Sequence, residues 1–207
     1  MNLLTTSRKV DNMKINTHSF YSEKIHTELK MLRQIINWRF EPEFLSGIKD
    51  PVDKDGNLID VNNRENWLTM NEAKEVSNNI GFVLTEDDPY LCIHLDGALY
   101  GDKMCDLEKE IIDMLPNTYV EKDAASTGLY FIYKLNRKPD IHRYRHINVD
   151  GFLLEIYWSN TSVICSGYVY SDYPVSVLNA ADIESVVNRF VNGPLAAYGD
   201  PESFLCP

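Results

Sequence analysis

Ile80-Gly81-Phe82-Val83-Leu84-Thr85-Glu86-Asp87-Asp88-Pro89-Tyr90-Leu91-Cys92-Ile93-His94-Leu95-Asp96 is the stretch on which the fold turns. Ile80 to Leu84 reads as one strand, Glu86-Asp87-Asp88-Pro89 as a turn, and Tyr90 to Asp96 as a second strand, so the segment predicts a hairpin. Side chains alternate faces along a strand. His94 and Asp96 therefore project from the same side, about 7 Å apart along the chain. Two carboxylates so placed would hold divalent cations for phosphoryl transfer. Here the first position carries an imidazole.

Working outward, residues 1–18 are polar and unpatterned and read as a loose tail before a single domain over 19–207. Ser19 is a plausible cap for a helix with Ile25, Leu29 and Leu32 on one face. Gln34 to Phe40 reads as a strand and Glu41 to Asn66 as a long loop. Within that loop Asp53-Lys54-Asp55-Gly56-Asn57 resembles the start of a calcium loop but lacks the closing glutamate, so it reads as a hairpin-type turn. Trp67 to Asn78 predicts a short helix with Ala73 and Val76 inward. Asp106 to Leu115 is amphipathic, with Leu107, Ile111 and Leu115 on one face and Glu108, Lys109 and Asp113 elsewhere. Tyr119 to Glu121 and Leu129 to Leu135 read as strands around a small-residue turn, followed by strands at Phe152 to Tyr157 and Ser162 to Cys165. A last helix spans 182–191, capped by Asp182 and ended near Gly193-Pro194. This order indicates an α+β domain with a mostly antiparallel sheet.

The 207 residues carry a formal net charge of −11 and 44% hydrophobic residues. That apolar fraction supports a packed core. The acidity counts against tight, non-specific DNA binding but leaves a metal-bridged nucleotide contact open, and it equally serves solubility. The four cysteines show no metal-ligand spacing. Cys92 and Cys165 lie in apolar strands and read as buried free thiols in a reducing cytosol. Neither a signal peptide nor an apolar run of roughly 20 residues is visible, so the expectation is a cytoplasmic protein with no membrane partner. No nucleophile elbow, phosphate-cradling glycine loop or zinc-protease helix is present.

One basic strip stands out, Arg137-Lys138-Pro139-Asp140-Ile141-His142-Arg143-Tyr144-Arg145-His146. Arg137, Lys138, Arg143, Tyr144 and Arg145 could track a nucleic-acid backbone or an anionic partner, or form a solvated hairpin tip. Tyr130 and Tyr157 could stack on a base or fill a core edge. His94 and Asp96 are either metal ligands or ordinary residues at a strand end.

The order of these pieces resembles the primase-polymerase domain of the archaeo-eukaryotic primase superfamily, in its phage and mobile-element form. The resemblance runs from about Ile36 to Gly167, through Asn37-Trp38-Arg39, Lys49-Asp50-Pro51, Asn66-Trp67 with Glu72-Ala73, and the stretch 80–90. It implies an RRM-like core flanked by helices. It further implies a cation site in which two strand carboxylates and a third from a later strand hold two divalent ions. His94-Leu95-Asp96 stands at the family's Asp-x-Asp, and Glu155 in Leu154-Glu155-Ile156-Tyr157 at the later acidic position. Metal ligands expected from the resemblance are thus His94, Asp96 and Glu155, with Asp96 and Glu155 the catalytic candidates and Mg²⁺ or Mn²⁺ the cofactor if the site is active. The serine- and glycine-rich turn keeps Gly128 but has Tyr130 where a triphosphate-contacting histidine belongs, so the nucleotide-binding candidates are Gly128, Tyr130 and Tyr157. Ser166-Gly167 matches the closing Thr-Gly, and the basic residue expected near Thr161 is missing.

Imidazole suits Zn²⁺, Ni²⁺ or Mn²⁺ better than Mg²⁺. Positioned electrostatic groups are worth about 10²–10³ each in rate, so several losses together imply a pseudoenzyme. The expectation is a domain that binds rather than catalyses, either as an acidic inhibitor of a host nuclease or defence protein in a bacterial cell, or as a replication accessory. The alternative is a divergent, active metal-dependent DNA primase or polymerase using His94, Asp96 and Glu155.

Overall fold

The computed structural model describes residues 20–40, 49–99, 103–104, 106–141, 147–149 and 152–190. A 3-10 turn (Ser22–Lys24) and α1 (Thr27–Lys30) precede β1 (Ile35–Phe40) and β2 (Lys49–Val52). Next come a second 3-10 turn (Arg64–Asn66), α2 (Met70–Val76), β3 (Ile80–Leu84), β4 (Tyr90–Asp96) and α3 (Asp106–Asp113). The chain continues through β5 (Tyr119–Lys122), β6 (Leu129–Leu135), β7 (Ile147–Val149), β8 (Phe152–Tyr157), β9 (Thr161–Cys165), β10 (Val169–Asp172), β11 (Ser176–Leu178) and α4 (Ala180–Phe190). Among the described residues the strands form two sheets, one ordered β2-β1-β3-β9 and the other β10-β5-β6-β4-β8-β7, with β11 also on β6. Among these residues every pairing is antiparallel except β11 on β6. The architecture is α+β with antiparallel sheets, and it is compatible with a primase-polymerase-like domain.

The expected hairpin at 80–96 does not form. β3 pairs with β1 and β9, whereas β4 pairs with β6 and β8 in the other sheet. The physical reason is burial: all of β3, and β4 up to Leu95, is buried, so neither strand has a face to turn to water. Both behave as central strands. Asp88 builds the corner between the sheets. Its Oδ2 accepts from the Thr85 N–H at 3.0 Å and the Gln34 Nε2 at 2.7 Å, and its Oδ1 from the Tyr90 N–H at 2.9 Å. β8 and β9 also follow one another in sequence yet join different sheets. Their corner places Asn160 at φ 49°, a left-handed conformation that asparagine tolerates better than most residues. Asn160 Nδ2 donates to Glu86 Oε1 at 3.2 Å, which ties the two corners together.

Strand alternation then sorts side chains into two layers. On the outer face of the larger sheet, Leu91, Ile93, Leu95, Phe131, Leu154 and Ile156 pack with Ile111 of α3 and Ile183, Val186, Val187 and Phe190 of α4. The inner face meets the smaller sheet, where Cys92, Tyr119, Tyr130 and Ile132 share a cluster with Ile35, Ile80, Phe82 and Val163. Each fully buried aliphatic side chain here contributes about 1.5–3 kcal/mol.

Other departures are local. The helix predicted from Ser19 is only a 3-10 turn and one turn of α1, because Ile25 and His26 adopt extended backbone between them. Tyr119 packs against that break: its hydroxyl oxygen lies 3.3 Å from the Lys24 carbonyl oxygen and its ring 5.2 Å from the His26 ring. The 41–66 segment contains β2, whose Pro51 is tolerated because β2 is an edge strand. The Asp53 turn is closed by its own carboxylate, which accepts from the Asp55 and Asn57 N–H groups at 2.8 and 2.9 Å. In α2, Met70 and Ala73 are buried while Val76 is exposed, contrary to expectation. Glu108 of α3 is buried. Asp182 lies inside the first turn of α4 rather than at its cap. The short strands β7, β10 and β11 carry no sequence pattern long enough to show. Cys92 and Cys165 are buried free thiols. The expected tail, Cys105, Cys206 and residues 142–146 lie outside the described residues. Among the described residues no helix is long and apolar enough to cross a membrane.

Candidate functional site

Strand register lines up four polar residues across the larger sheet. Glu121 of β5 sits opposite Tyr130 of β6, Tyr130 opposite His94 of β4, and His94 opposite Glu155 of β8. Directly opposed residues share a face, so all four point toward the smaller sheet. The next row on that face is Tyr119, Ile132, Cys92 and Tyr157, which is largely apolar. A polar line is thus embedded in the seam between the sheets.

His94 is 6% exposed and Glu155 6% exposed. His94 Nδ1 lies 2.5 Å from Glu155 Oε2, and its ring stacks on Tyr130 with centroids 4.0 Å apart. On the other side, His94 Nε2 is 3.6 Å from Asp123 Oδ2, an ion-pair separation too long for a hydrogen bond. Asp123 follows β5 and closes the turn into β6. Its Oδ1 accepts from the Thr127 N–H at 3.0 Å, and its N–H donates to the Gly128 carbonyl at 2.9 Å. That tight turn puts Ser126 at φ 60°. Gly128 lies against the site: a Cβ there would stand 2.7 Å from Asp123 Oδ2, 2.8 Å from the Leu95 carbonyl and 2.9 Å from His94 Nε2. Asp96, at the open end of β4, is partly exposed.

Burial alone would depress the His94 imidazole, but the carboxylates of Asp123 and Glu155 more than reverse this and hold its pKa above the ordinary value. Burial pushes Asp123 up, yet the neighbouring imidazole and the Gly128 and Thr127 backbone hold it below the usual carboxylate range. Glu121 is different. Burial drives its pKa up, although Oε1 accepts from the Tyr119 hydroxyl at 2.5 Å and Oε2 from the Gly167 N–H at 3.0 Å. Glu121 thereby fastens the Ser166-Gly167 loop to β5, a structural role.

The site opens into a cleft of about 360 Å³ between the sheets, lined by Ile36, Trp38 and Gly81 on one side and His94, Asp96, Tyr130, Glu155 and Tyr157 on the other. Small-molecule sites begin near 300 Å³, so the cleft lies at the lower end of that range. His94, Asp96 and Asp123 each offer a ligand atom, all within 4.8 Å of one another.

The structure therefore brings together His94, Asp96, Glu155, Tyr130 and Tyr157 around one cleft, with Gly128 behind it. It also adds Asp123, which the sequence reading passed over. The signal was the Asp123…Gly128 bracket around a tight turn, whose ends must meet across the hairpin. Arg137 lies beyond the far end of β6 and is held by Glu184 through two contacts at 2.8 and 2.9 Å; Lys138 beside it is exposed. Arg143, Tyr144 and Arg145 lie outside the described residues. A different surface gathers exposed aromatics: Tyr168 and Tyr170 flank Lys122, whose ammonium is 5.3 and 5.9 Å from their ring centres.

No family model matches this chain. A DNA primase-polymerase of Nitratiruptor phage NrS-1 is 29% identical to it over 111 residues, which cover 50% of this chain and 15% of that protein. The matched stretch is thus a small part of the phage protein's length. Together with the α+β, antiparallel architecture, this similarity supports a relationship between the chain and phage primase-polymerases.

Proposed function

We propose that this chain is a primase-polymerase-like domain of a phage or other mobile element, built on an RRM-like core, that binds nucleotide or nucleic acid without extending primers. The observation that carries the reading is the placement of His94. Two-ion phosphoryl transfer needs carboxylate oxygens that share a pair of hard cations. Here an imidazole stands in the row, and Glu155 is directed at its Nδ1, 2.5 Å away. Mg²⁺ demands a near-octahedral shell of oxygen ligands, and this donor set does not fit a pair of such ions. The cleft nevertheless stays open, with Tyr157 and Trp38 on its walls. The exposed Tyr168 and Tyr170 beside Lys122 add a surface suited to stacking on unpaired bases.

The test pairs calorimetry with nucleoside triphosphates against a primer-extension assay in Mg²⁺ and in Mn²⁺. Expected is measurable binding with no extension. Extension that disappears in both Asp96→Ala and Glu155→Ala would replace this reading with the divergent enzyme, which the convergence of His94 and Asp96 at the cleft favours. No binding and no extension would remove both.

The net charge of −11 favours a second reading, in which the acidic surface occupies a DNA groove on a host nuclease or defence protein in the bacterial cytoplasm. Tight DNA binding in physiological salt, with no protein recovered in pull-downs, would end that version.

A further inference from the structure

We propose that His94 Nε2, Asp96 and Asp123 hold one zinc or manganese ion, and that Glu155 is a positioning residue behind the imidazole rather than a ligand. Three separate observations converge on this. First, Nε2 belongs to a residue only 6% exposed and has no hydrogen-bond partner among the described residues. The tautomer that gives Nδ1–H to Glu155 leaves Nε2 as the nitrogen free to ligate, and Nε2 faces Asp123 Oδ2. Metal-bound histidines nearly always show this pattern, with a carboxylate orienting the ring through its other nitrogen. Second, the 3.6 Å between Nε2 and Asp123 Oδ2 is too long for a hydrogen bond but suits two ligands of one ion. A tetrahedral ion with bonds of about 2.1 Å separates its ligands by about 3.4 Å. Third, the space beside them is kept clear by the lack of a side chain at Gly128, whose Cβ would meet both atoms.

The donor types choose the ion. One imidazole and two carboxylates favour borderline metals over Mg²⁺ or Ca²⁺. Three protein ligands leave a position open toward the cleft, where Asp96 is partly exposed. The inference deepens the binding reading of the same cleft. It is tested with metal alone, so its failure leaves nucleotide binding a separate question.

The experiment is calorimetric titration of the full chain with ZnCl₂, MnCl₂ and MgCl₂, together with the visible absorption spectrum of the Co²⁺-loaded protein. Expected is one equivalent of Zn²⁺ or Mn²⁺, weaker binding of Mg²⁺, and a cobalt spectrum of low coordination number. Asp123→Asn and Asp96→Asn should each weaken binding at least tenfold. Glu155→Ala should weaken it about 10–100-fold, while Glu155→Gln, which keeps an acceptor for Nδ1–H, restores most of the affinity. Circular dichroism establishes that each variant is folded, and the partly exposed Asp96 carries the test if Asp123→Asn is not. No binding to folded wild-type protein would mean that an imidazolium, not a metal, neutralises the carboxylates, and would overturn the proposal. Two equivalents would overturn it as well, as would binding indifferent to Asp123→Asn and Asp96→Asn. Equal damage from Glu155→Gln and Glu155→Ala would make Glu155 a ligand and refute its assigned role.

Discussion

Adding a single methyl group at Gly128 probes the packing of the site. The new Cβ would meet Asp123 Oδ2 at 2.7 Å, the Leu95 carbonyl oxygen at 2.8 Å and His94 Nε2 at 2.9 Å. Two of these are side-chain atoms, but the carbonyl belongs to β4, where Leu95 is paired with both Leu129 and Leu154. It cannot retreat without shifting the central strands. Overpacking of this kind costs about 1–3 kcal/mol. In a protein of this size each kcal/mol lowers the melting temperature by about 2–4 °C, so Gly128→Ala should melt about 2–12 °C below wild type. Gly81→Ala is the internal comparison. Its Cβ would meet Ile36 Cγ1 at 3.1 Å and the Val163 carbonyl at 3.4 Å. A side chain can yield there, and the loss should be smaller. Thermal melts followed by circular dichroism measure both, and Zn²⁺ titration of Gly128→Ala should show weakened binding. A Gly128→Ala protein that melts within a degree of wild type, or above Gly81→Ala, refutes the claim that this glycine keeps the site open.

Thr69 and Glu72 form a capping box at the start of α2, so Thr69→Ala should cost about 1 kcal/mol in urea unfolding, and an unchanged midpoint would contradict the cap. Burial opposes the charge on Glu28, but the Lys134 ammonium and the Tyr90 hydroxyl outweigh it and hold its pKa below the ordinary 4.5. A carboxyl whose folded pKa is depressed stabilises the fold above its unfolded pKa and loses that contribution as pH falls through the folded value. Glu28→Gln should therefore be less stable than wild type by about 0.2–1 kcal/mol at pH 7, with the gap closing in acid; a gap independent of pH would refute the assignment. Burial pushes the thiols of Cys92 and Cys165 well above their ordinary pKa. Labelling with a thiol reagent, mapped by mass spectrometry, should leave both unmodified in native protein and modify both in urea. Fast native labelling of either would show that its strand is not held as described.

The strands nearest the site were legible from composition and length. Tyr90 to Asp96, Leu129 to Leu135 and Phe152 to Tyr157 are short runs rich in aliphatic and aromatic residues, and their boundaries match β4, β6 and β8. The two-residue repeat of any strand placed His94 and Asp96 on one face, and register added Tyr130 and Glu155 beside His94. What the sequence could not show was partner choice. Ile80 to Leu84 is apolar at nearly every position, and such a run suits any central strand equally. Nothing local says that β3 leaves β4 at Asp88 to join another sheet. The first helix failed for a related reason. Its apolar spacing was real, since Ile25 and Leu29 are both buried, but at the break between them His26 packs against Tyr119, which comes from a distant part of the chain.

Residue types and their order along the chain determined that this is an α+β protein with a strand bearing an imidazole two positions before a carboxylate. They also determined which neighbouring strands would carry the tyrosine and the glutamate. Tertiary structure alone decided that the two sheets face one another across two neighbouring corners, that Glu155 meets Nδ1, and that Asp123 approaches Nε2 over Gly128. The reason is range. Alternation is set by the backbone of each strand and is written locally, whereas distances of 2.5 to 3.6 Å between residues about 30 to 60 positions apart depend on how closely whole strands pack.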